Sequence, residues 1–357
     1  MYRQPNKGRG AISNREGRYE RIAKVAEDDG WTPREAPGAP ATEIREDVAR
    51  RVITTNDSPD VPFDQSVNPY RGCEHGCIYC YARPGHAWLG LSPGLDFETK
   101  LYVKRDAAAR LKDELAAPGY RCRVLAMGTY TDPYQPVERR LRVTRAILEV
   151  LAACDHPVSI VTKSALIERD LDILAPMAAK GLASAAISVT TLDDELKRRM
   201  EPRTAAPARR LAAIRRLADA GVPVGVLVAP VIPALNDHEI ERILEAVAAA
   251  GARTAGYVVL RLPLELKTLF AEWLEAHYPE RAGRVLSLLR DAHGGRENDP
   301  RFGWRMRGVG PWAELLRRRF EVAARRHGLA LPNSRREVAL DTSLFRPPAQ
   351  GGQFRLL

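Results

Sequence analysis

From about residue 65 the chain alternates short, nearly continuous apolar runs with longer amphipathic stretches. The runs "SVNPY" (66–70), "KLYVK" (100–104), "RVLAMGT" (123–129), "VSIVTKS" (158–164), "ASAAISVTT" (183–191), "PVGVLVAPVIP" (223–233) and "TAGYVVLRLP" (254–263) read as strands. Between them "DAAARLKDELA", "ERRLRVTRAILEVLAA", "ERDLDILAPMAAKG", "TAAPARRLAAIRRLADAG" and "DHEIERILEAVAAAG" carry a helical period. Asp106 and Asp237 stand at N-cap positions, and Gly181 and Gly221 at helix ends. Apolar strands alternating with helices predict an α/β protein with a parallel sheet covered on both faces. Six such units fit a full or partial βα barrel. A doubly wound sheet is the alternative, because the period does not distinguish closure.

The pattern is different at both ends. Residues 1–40 are rich in Arg, Gly, Pro and Asn, and predict a flexible or loosely docked arm. A lead-in segment follows (41–61), then the barrel (62–265). A helical C-terminal extension (266–357) has helices at roughly 265–276, 280–292 and 311–327 and a loose tail, "PPAQGGQFRLL".

Charge and composition add less than they first suggest. The net charge is +10, which suits nucleic acid or another acidic partner. Yet nine Lys stand against forty-six Arg, with abundant Ala, the bias that codon usage in a high-GC genome produces. No window of about 18 apolar residues reads as a membrane span. No apolar stretch follows "MYRQPNKGRG" as a secretory signal would require. Five cysteines are too few for a disulfide scaffold. The expectation is a cytoplasmic protein with no membrane association.

Three of those cysteines, Cys73, Cys77 and Cys80, fall in "NPYRGCEHGCIYCYARP" with C-x3-C-x2-C spacing. A zinc knuckle wants four ligands, often as two C-x2-C pairs, and no second pair exists. A redox C-x2-C would leave Cys73 unexplained. Three thiolates on one short loop suit three irons of a cubane cluster, leaving the fourth iron for a small chelating molecule. A non-catalytic iron–sulfur or zinc module remains an alternative, as does a nucleic-acid-binding protein. His75 lies inside the loop, either as a ligand or as a solvated side chain.

At these residues the chain resembles the radical S-adenosylmethionine superfamily, whose signature is C-x3-C-x2-C with an aromatic residue, here Tyr79, before the last cysteine. The resemblance covers about residues 60–265. "TDPYQPVE", "VTKS" and "LVAPVIPALND" look like the branch related to spore photoproduct lyase and DNA-repair photolyase. It implies a partial (βα)6 TIM-like barrel. It also implies a [4Fe-4S] cluster on Cys73, Cys77 and Cys80, with S-adenosyl-L-methionine chelated by the remaining iron. One electron, from a flavodoxin- or ferredoxin-type donor, would cleave that cofactor to a 5′-deoxyadenosyl radical, which abstracts hydrogen from a substrate. A nucleic-acid-linked substrate follows from the branch and the positive charge.

Ligands of a parallel barrel gather at the C-terminal ends of the strands, which ranks the remaining candidates. Gly128, Thr129, Thr131 and Asp132 occupy the place where superfamily members often use a Gly-Gly-Glu segment, and Asp132 is either its substitute or an ordinary turn residue. Lys163 ends an apolar strand, where its charge meets an anionic ligand such as the cofactor carboxylate, or a loop carboxylate. Ser188 and Thr190 face either the cofactor or backbone partners in the core. Arg203 would neutralise an anion. Asn236 and Asp237 line the adenine region or start the next helix. Tyr81, Tyr130 and Tyr134 stack a base or simply pack. Spore photoproduct lyases are thought to place a hydrogen-donating cysteine at the end of the second barrel strand. Here Thr129 and Tyr130 stand there, so lesion reversal by that route is not expected.

Overall fold

A computed structural model describes residues 5–20, 40–331 and 339–348. The last nine residues of the C-terminal tail, and most of the Pro-rich stretch before residue 40, lie outside the described residues.

The main sheet has seven strands. In chain order they are β2 (Ile53–Thr55), β3 (Gln65–Val67), β6 (Leu125–Met127), β7 (Val158–Thr162), β8 (Ala183–Ser188), β9 (Val224–Val231) and β10 (Thr254–Val259). The smaller strands β1 (Glu43–Glu46), β4 (Tyr70–Arg71) and β5 (Lys100–Val103) complete the count. In space the order is β10-β9-β8-β7-β6-β3-β2. The six from β3 to β10 are parallel, and β2 is an antiparallel edge on β3. The order follows the chain without reversal. That is the progression of a barrel, and it overturns the doubly wound alternative, in which strand order reverses at a switch point. Among the described residues no strand pairing joins β10 to β2, so the barrel is partial.

Burial along the strands departs from the expected double-sided core. In β7 and β9 buried residues alternate with half-buried ones. Val158, Ile160, Val224, Val226 and Val228 belong to the principal apolar core with helix residues such as Ile147, Leu151 and Ile243. The half-buried set, Ser159 and Val161 in β7 and Gly225, Leu227 and Ala229 in β9, faces the other side of the sheet.

Two segments correct the strand-by-strand reading. "KLYVK" is not a barrel strand, because β5 sits between β1 and β4 in a separate three-stranded sheet. The helix expected over 138–153 breaks at Arg142, whose φ is 54°. The cause is Glu138, a buried carboxylate that pairs with Arg169 at 2.9 Å and accepts the backbone N–H of Thr144 at 3.1 Å. It therefore caps a second helix, Val143–Ala153, in the middle of the amphipathic stretch.

The C-terminal helices divide between two cores. Gly310–Arg326 joins the principal core through Leu316, Phe320 and Ala324. Leu266–His277 and Pro279–Ala292 form a second core in which Phe270, Trp273 and Leu289 pack with Ile78 and Tyr79 of the cysteine loop and with Ala11 and Ile12. The edge of β10 is covered: Ala255 N–H donates to Ala330 O and Val259 N–H to Met306 O, both at 2.9 Å. No helix among the described residues is long and apolar enough to cross a membrane.

Candidate active site

All six parallel strands deliver their C-terminal ends to one edge of the sheet. β3 leads into the cysteine loop, β6 into Gly128, β7 into Lys163, β8 into Thr190, β9 into Asn236 and β10 into Arg261. Gly128, at φ 86°, is dictated by packing, since a Cβ there would lie 2.0 Å from the Val161 carbonyl oxygen.

The loop from Cys73 to Arg83 is held from below and outside. Cys73 N–H donates to Phe97 O at 2.9 Å and Ile78 N–H to Met200 O at 3.1 Å. Arg83, fully buried, donates to the carbonyls of Cys77 (2.8 Å), Pro93 (3.1 Å), Gly94 (2.9 Å) and Gly76 (3.2 Å). Its charge is met by the equally buried Glu98 at 2.5 Å. Glu98 also accepts the backbone N–H groups of Gly10 (3.0 Å) and Ala11 (2.8 Å). Residues 9–18, expected to be flexible or loosely docked, are thus fastened across the outside of the cysteine loop. Gly10 lies so close that a Cβ would sit 1.9 Å from Gly76 O. Asn14 exchanges hydrogen bonds with Asp96, Ser13 bonds Glu272, and Arg18 pairs with Glu265 at 2.8 Å.

The three loop thiols are free, and Cys73 and Cys77 are buried. Burial, then the Glu201 carboxylate, pushes the Cys77 thiol up to about 12, while Lys163 acts in the opposite direction. Burial likewise raises Cys73 and Cys80. Among the described residues no three His, Cys, Asp or Glu side chains close on a single metal-ion position. Cys122 and Cys154 precede β6 and β7, at the opposite end of the sheet, so neither is placed as a fourth ligand.

Beneath the loop is a charged network that the sequence reading missed. Glu201 is fully buried and receives Arg210, the Tyr79 hydroxyl and the Thr190 hydroxyl (2.6 Å). Arg210 also donates to Ser188 O at 3.0 Å, Ala205 O at 2.9 Å and Thr204 Oγ1 at 2.6 Å. Burial alone would raise the Glu201 carboxyl; Arg210 foremost, then Lys163 and the two hydroxyls, holds it at about 2 instead. Nothing local marks Glu201 and Arg210 as buried, since their meaning depends on Tyr79, more than a hundred residues earlier.

Several other candidates are already engaged within the protein. Asp132 accepts from Thr162 Oγ1 (2.6 Å), Lys163 N–H (2.8 Å) and Tyr134 N–H (2.9 Å), and faces His75 Nδ1 at 3.3 Å. Burial pushes its carboxyl up, but the His75 ring and these donors hold it at about 2. His75 is accordingly buried and not a solvated loop side chain. Thr131 donates to Tyr70 O at 2.9 Å. Asn236 spends its amide on Thr190 O (2.8 Å) and Pro230 O (3.0 Å), and its oxygen accepts Ile232 N–H. Arg203 pairs with Glu74 at 3.2 Å. Asp237 accepts Trp312 Nε1–H at 3.1 Å and does not cap its helix.

Three candidates keep capacity. Thr129 Oγ1 accepts from Asn68 at 3.3 Å, which leaves its hydroxyl proton free. The Ser188 side chain has no hydrogen bond among the described residues. Lys163 has no carboxylate within ion-pair distance there; its ammonium lies 5.7 Å from the Tyr79 ring centroid.

The family model described as "Radical SAM superfamily" matches residues 67–247, and the chain belongs to that superfamily. It is therefore a radical SAM enzyme by family. An uncharacterized protein of Mycobacterium tuberculosis (strain ATCC 25618 / H37Rv) is 41% identical over 232 residues, covering 64% of this chain and 68% of that protein. An uncharacterized protein of Methanocaldococcus jannaschii is 26% identical over 214 residues, covering 60% and 76%. Among solved structures, spore photoproduct lyase complexed with dinucleoside spore photoproduct superposes with a TM-score of 0.57 at 18% identity, covering 81% of each chain. That last likeness concerns the fold.

Proposed function

We propose that Cys73, Cys77 and Cys80 hold a [4Fe-4S] cluster and that the strand ends around them bind S-adenosyl-L-methionine. The donor set fits the group. Three soft thiols on one loop suit iron–sulfur ligation. With Cys122 and Cys154 at the far end of the sheet, one iron is left for the amino and carboxylate groups of S-adenosyl-L-methionine. When bound, the pair supplies one-electron cleavage of the sulfonium to a 5′-deoxyadenosyl radical, for hydrogen abstraction from substrate.

The observation that carries this reading is the unpaired ammonium of Lys163 beside the cysteine loop. A cation left without a carboxylate at a barrel mouth suits the cofactor's own carboxylate. Thr129 and Ser188 offer the remaining free hydroxyls to the cofactor. Tyr79, Gly128, Thr131, Asp132, Thr190 and Asn236 contribute by fixing the backbone and the loop around it. The raised thiol pKa values mean that loading releases protons from the three cysteines. Residues 62–265 form the catalytic barrel, residues 9–18 fasten across its cluster end, 41–61 lead in, and the helices between 266 and 326 cover it. The substrate is nucleic-acid-linked, the electron donor is of flavodoxin or ferredoxin type, and the setting is cytoplasmic.

Anaerobic reconstitution tests the reading. It should load about four irons and about four sulfides per chain, and dithionite with S-adenosyl-L-methionine should then yield methionine and 5′-deoxyadenosine. Cys77→Ala should lose both. One zinc and no sulfide in anaerobically purified protein would establish a structural metal module instead.

A further inference from the structure

The C-terminal extension crosses the open side of the barrel as the segment Arg301-Phe302-Gly303-Trp304-Arg305-Met306-Arg307. It is pinned at both edges of the sheet. On the β10 side Met306 O accepts Val259 N–H at 2.9 Å. On the β2 side Asp60 accepts Gly303 N–H at 2.6 Å and pairs with Arg305, which also bonds Ser58. Between the pins two large aromatic rings point outward: Phe302 is 53% exposed and Trp304 52%. Each carries a guanidinium, Arg305 at 4.5 Å from the Phe302 centroid and Arg301 at 5.3 Å from that of Trp304. Behind the segment, at the end of β10, the Arg261 Nε is buried with no hydrogen-bond partner. Its Nη1 donates to the Met306 sulfur at 3.7 Å. Arg307 has no carboxylate partner among the described residues. Among the described residues these four guanidiniums have two carboxylates at ion-pair distance, Asp60 with Arg305 and Asp299 with Arg301. A cavity of about 610 Å³ opens alongside, lined by Tyr257, Trp304, Arg307 and Arg317.

We infer that the 301–307 segment, with Arg261 behind it, is a binding surface for single-stranded nucleic acid: bases stack on Phe302 and Trp304, and phosphates meet Arg261 and Arg307. Exposed rings interleaved with arginines are the chemistry of sequence-tolerant strand binding, in which every base offers a π-face and every linkage a charge. An acidic protein surface would match the charge but would leave two rigid exposed rings without a purpose. Arg261, two residues past the end of β10, places the surface beside the strand ends of the proposed site. The inference rests on the proposed radical chemistry for its catalytic meaning, but the binding itself does not.

Fluorescence anisotropy with a labelled oligothymidylate of roughly ten nucleotides, about one binding-site length, tests it on the full chain. The wild type should bind with an affinity that falls steeply with salt. Phe302→Ala with Trp304→Ala removes two stacking faces and should weaken binding about thirtyfold or more. Trp304→Phe, which keeps a stacking face, should stay close to wild type. Arg261→Met should reduce the salt slope by about 1. Circular dichroism confirms that each variant is folded. No binding by the wild type, or equal binding by the double alanine variant, overturns the inference. So does a double variant that binds the oligonucleotide normally but slows flavodoxin-driven and not dithionite-driven 5′-deoxyadenosine formation, since the surface would then serve the electron donor. Failure of 5′-deoxyadenosine formation in the wild type with oligonucleotide binding intact would sink the radical chemistry and leave this surface standing.

Discussion

The two sides of the barrel mouth use charge in opposite ways. On the cysteine-loop side the charges are matched: Arg83 with Glu98, Arg210 with Glu201, and Asp132 with its Thr162, Lys163 and Tyr134 donors. Among the described residues, Arg261 and Arg307 on the β10 side have no carboxylate at ion-pair distance, and Lys163 between the two regions has none either. Burying a matched pair contributes little net stability, but removing one partner is strongly destabilising. The matched side therefore reads as scaffold that fixes the position of three thiols. Burial lowers the pKa of Arg261, which has no carboxylate at ion-pair distance among the described residues, and under the proposed function these unmatched cations are where anions bind.

The sharpest way to break this contrast is Glu98→Ala. It strands the buried Arg83 and removes the acceptor of Gly10 and Ala11, so the metal-free protein should lose about 3–5 kcal/mol in chemical denaturation. Iron in the reconstituted variant should also bleach faster in air than in the wild type. Unchanged stability would mean that the matched side is not scaffold. Acid should attack the fold next. Burial lowers His86 and His156 to about 4, whereas their unfolded values lie near 6.5. The unfolded chain takes up these protons first, so stability is full above about pH 6.5 and declines as the pH falls toward 4. The decline is at most about 3 kcal/mol per ring, and denaturant midpoints between pH 7 and 4 would reveal it. Asp132 and Glu201, held at about 2, extend the loss below pH 4.

Lys163→Met should weaken S-adenosyl-L-methionine binding about tenfold, roughly 1.4 kcal/mol, with unfolding shifted by less than about 0.5 kcal/mol; calorimetric titration and denaturation separate the two effects. A large stability loss instead would place Lys163 with the scaffold. The smallest effect belongs to the exposed rings: Trp304→Ala should alter stability by no more than about 0.5 kcal/mol, because half of the ring is already in water.

The contrast also follows what was legible in the sequence. The cysteine loop was readable because its spacing is local and thiols are scarce. That Gly128 and Lys163 sit at one edge of the sheet was readable because a parallel sheet sends its strand ends there; their roles were not. Glu201 and Arg210 were invisible, since ordinary charged residues acquire their role only through Tyr79 and Thr190 across the barrel. The stretch 9–18 was misjudged for a related reason. Its polar composition suggests a loop, yet Glu98, Asp96, Glu265 and Glu272 supply partners for its backbone and side chains. Lys100–Val103 was assigned to the barrel because a short apolar run carries no information about which sheet it joins.

The way residues 13–18 are fastened sets an order of events in synthesis. They emerge from the ribosome early, but Glu265 and Glu272, which clamp them, emerge only after the whole barrel has been made. Until then the outer flank of the three thiols has no finished cover. The enclosure that later protects them waits on residues 247 and 259 positions further along the chain.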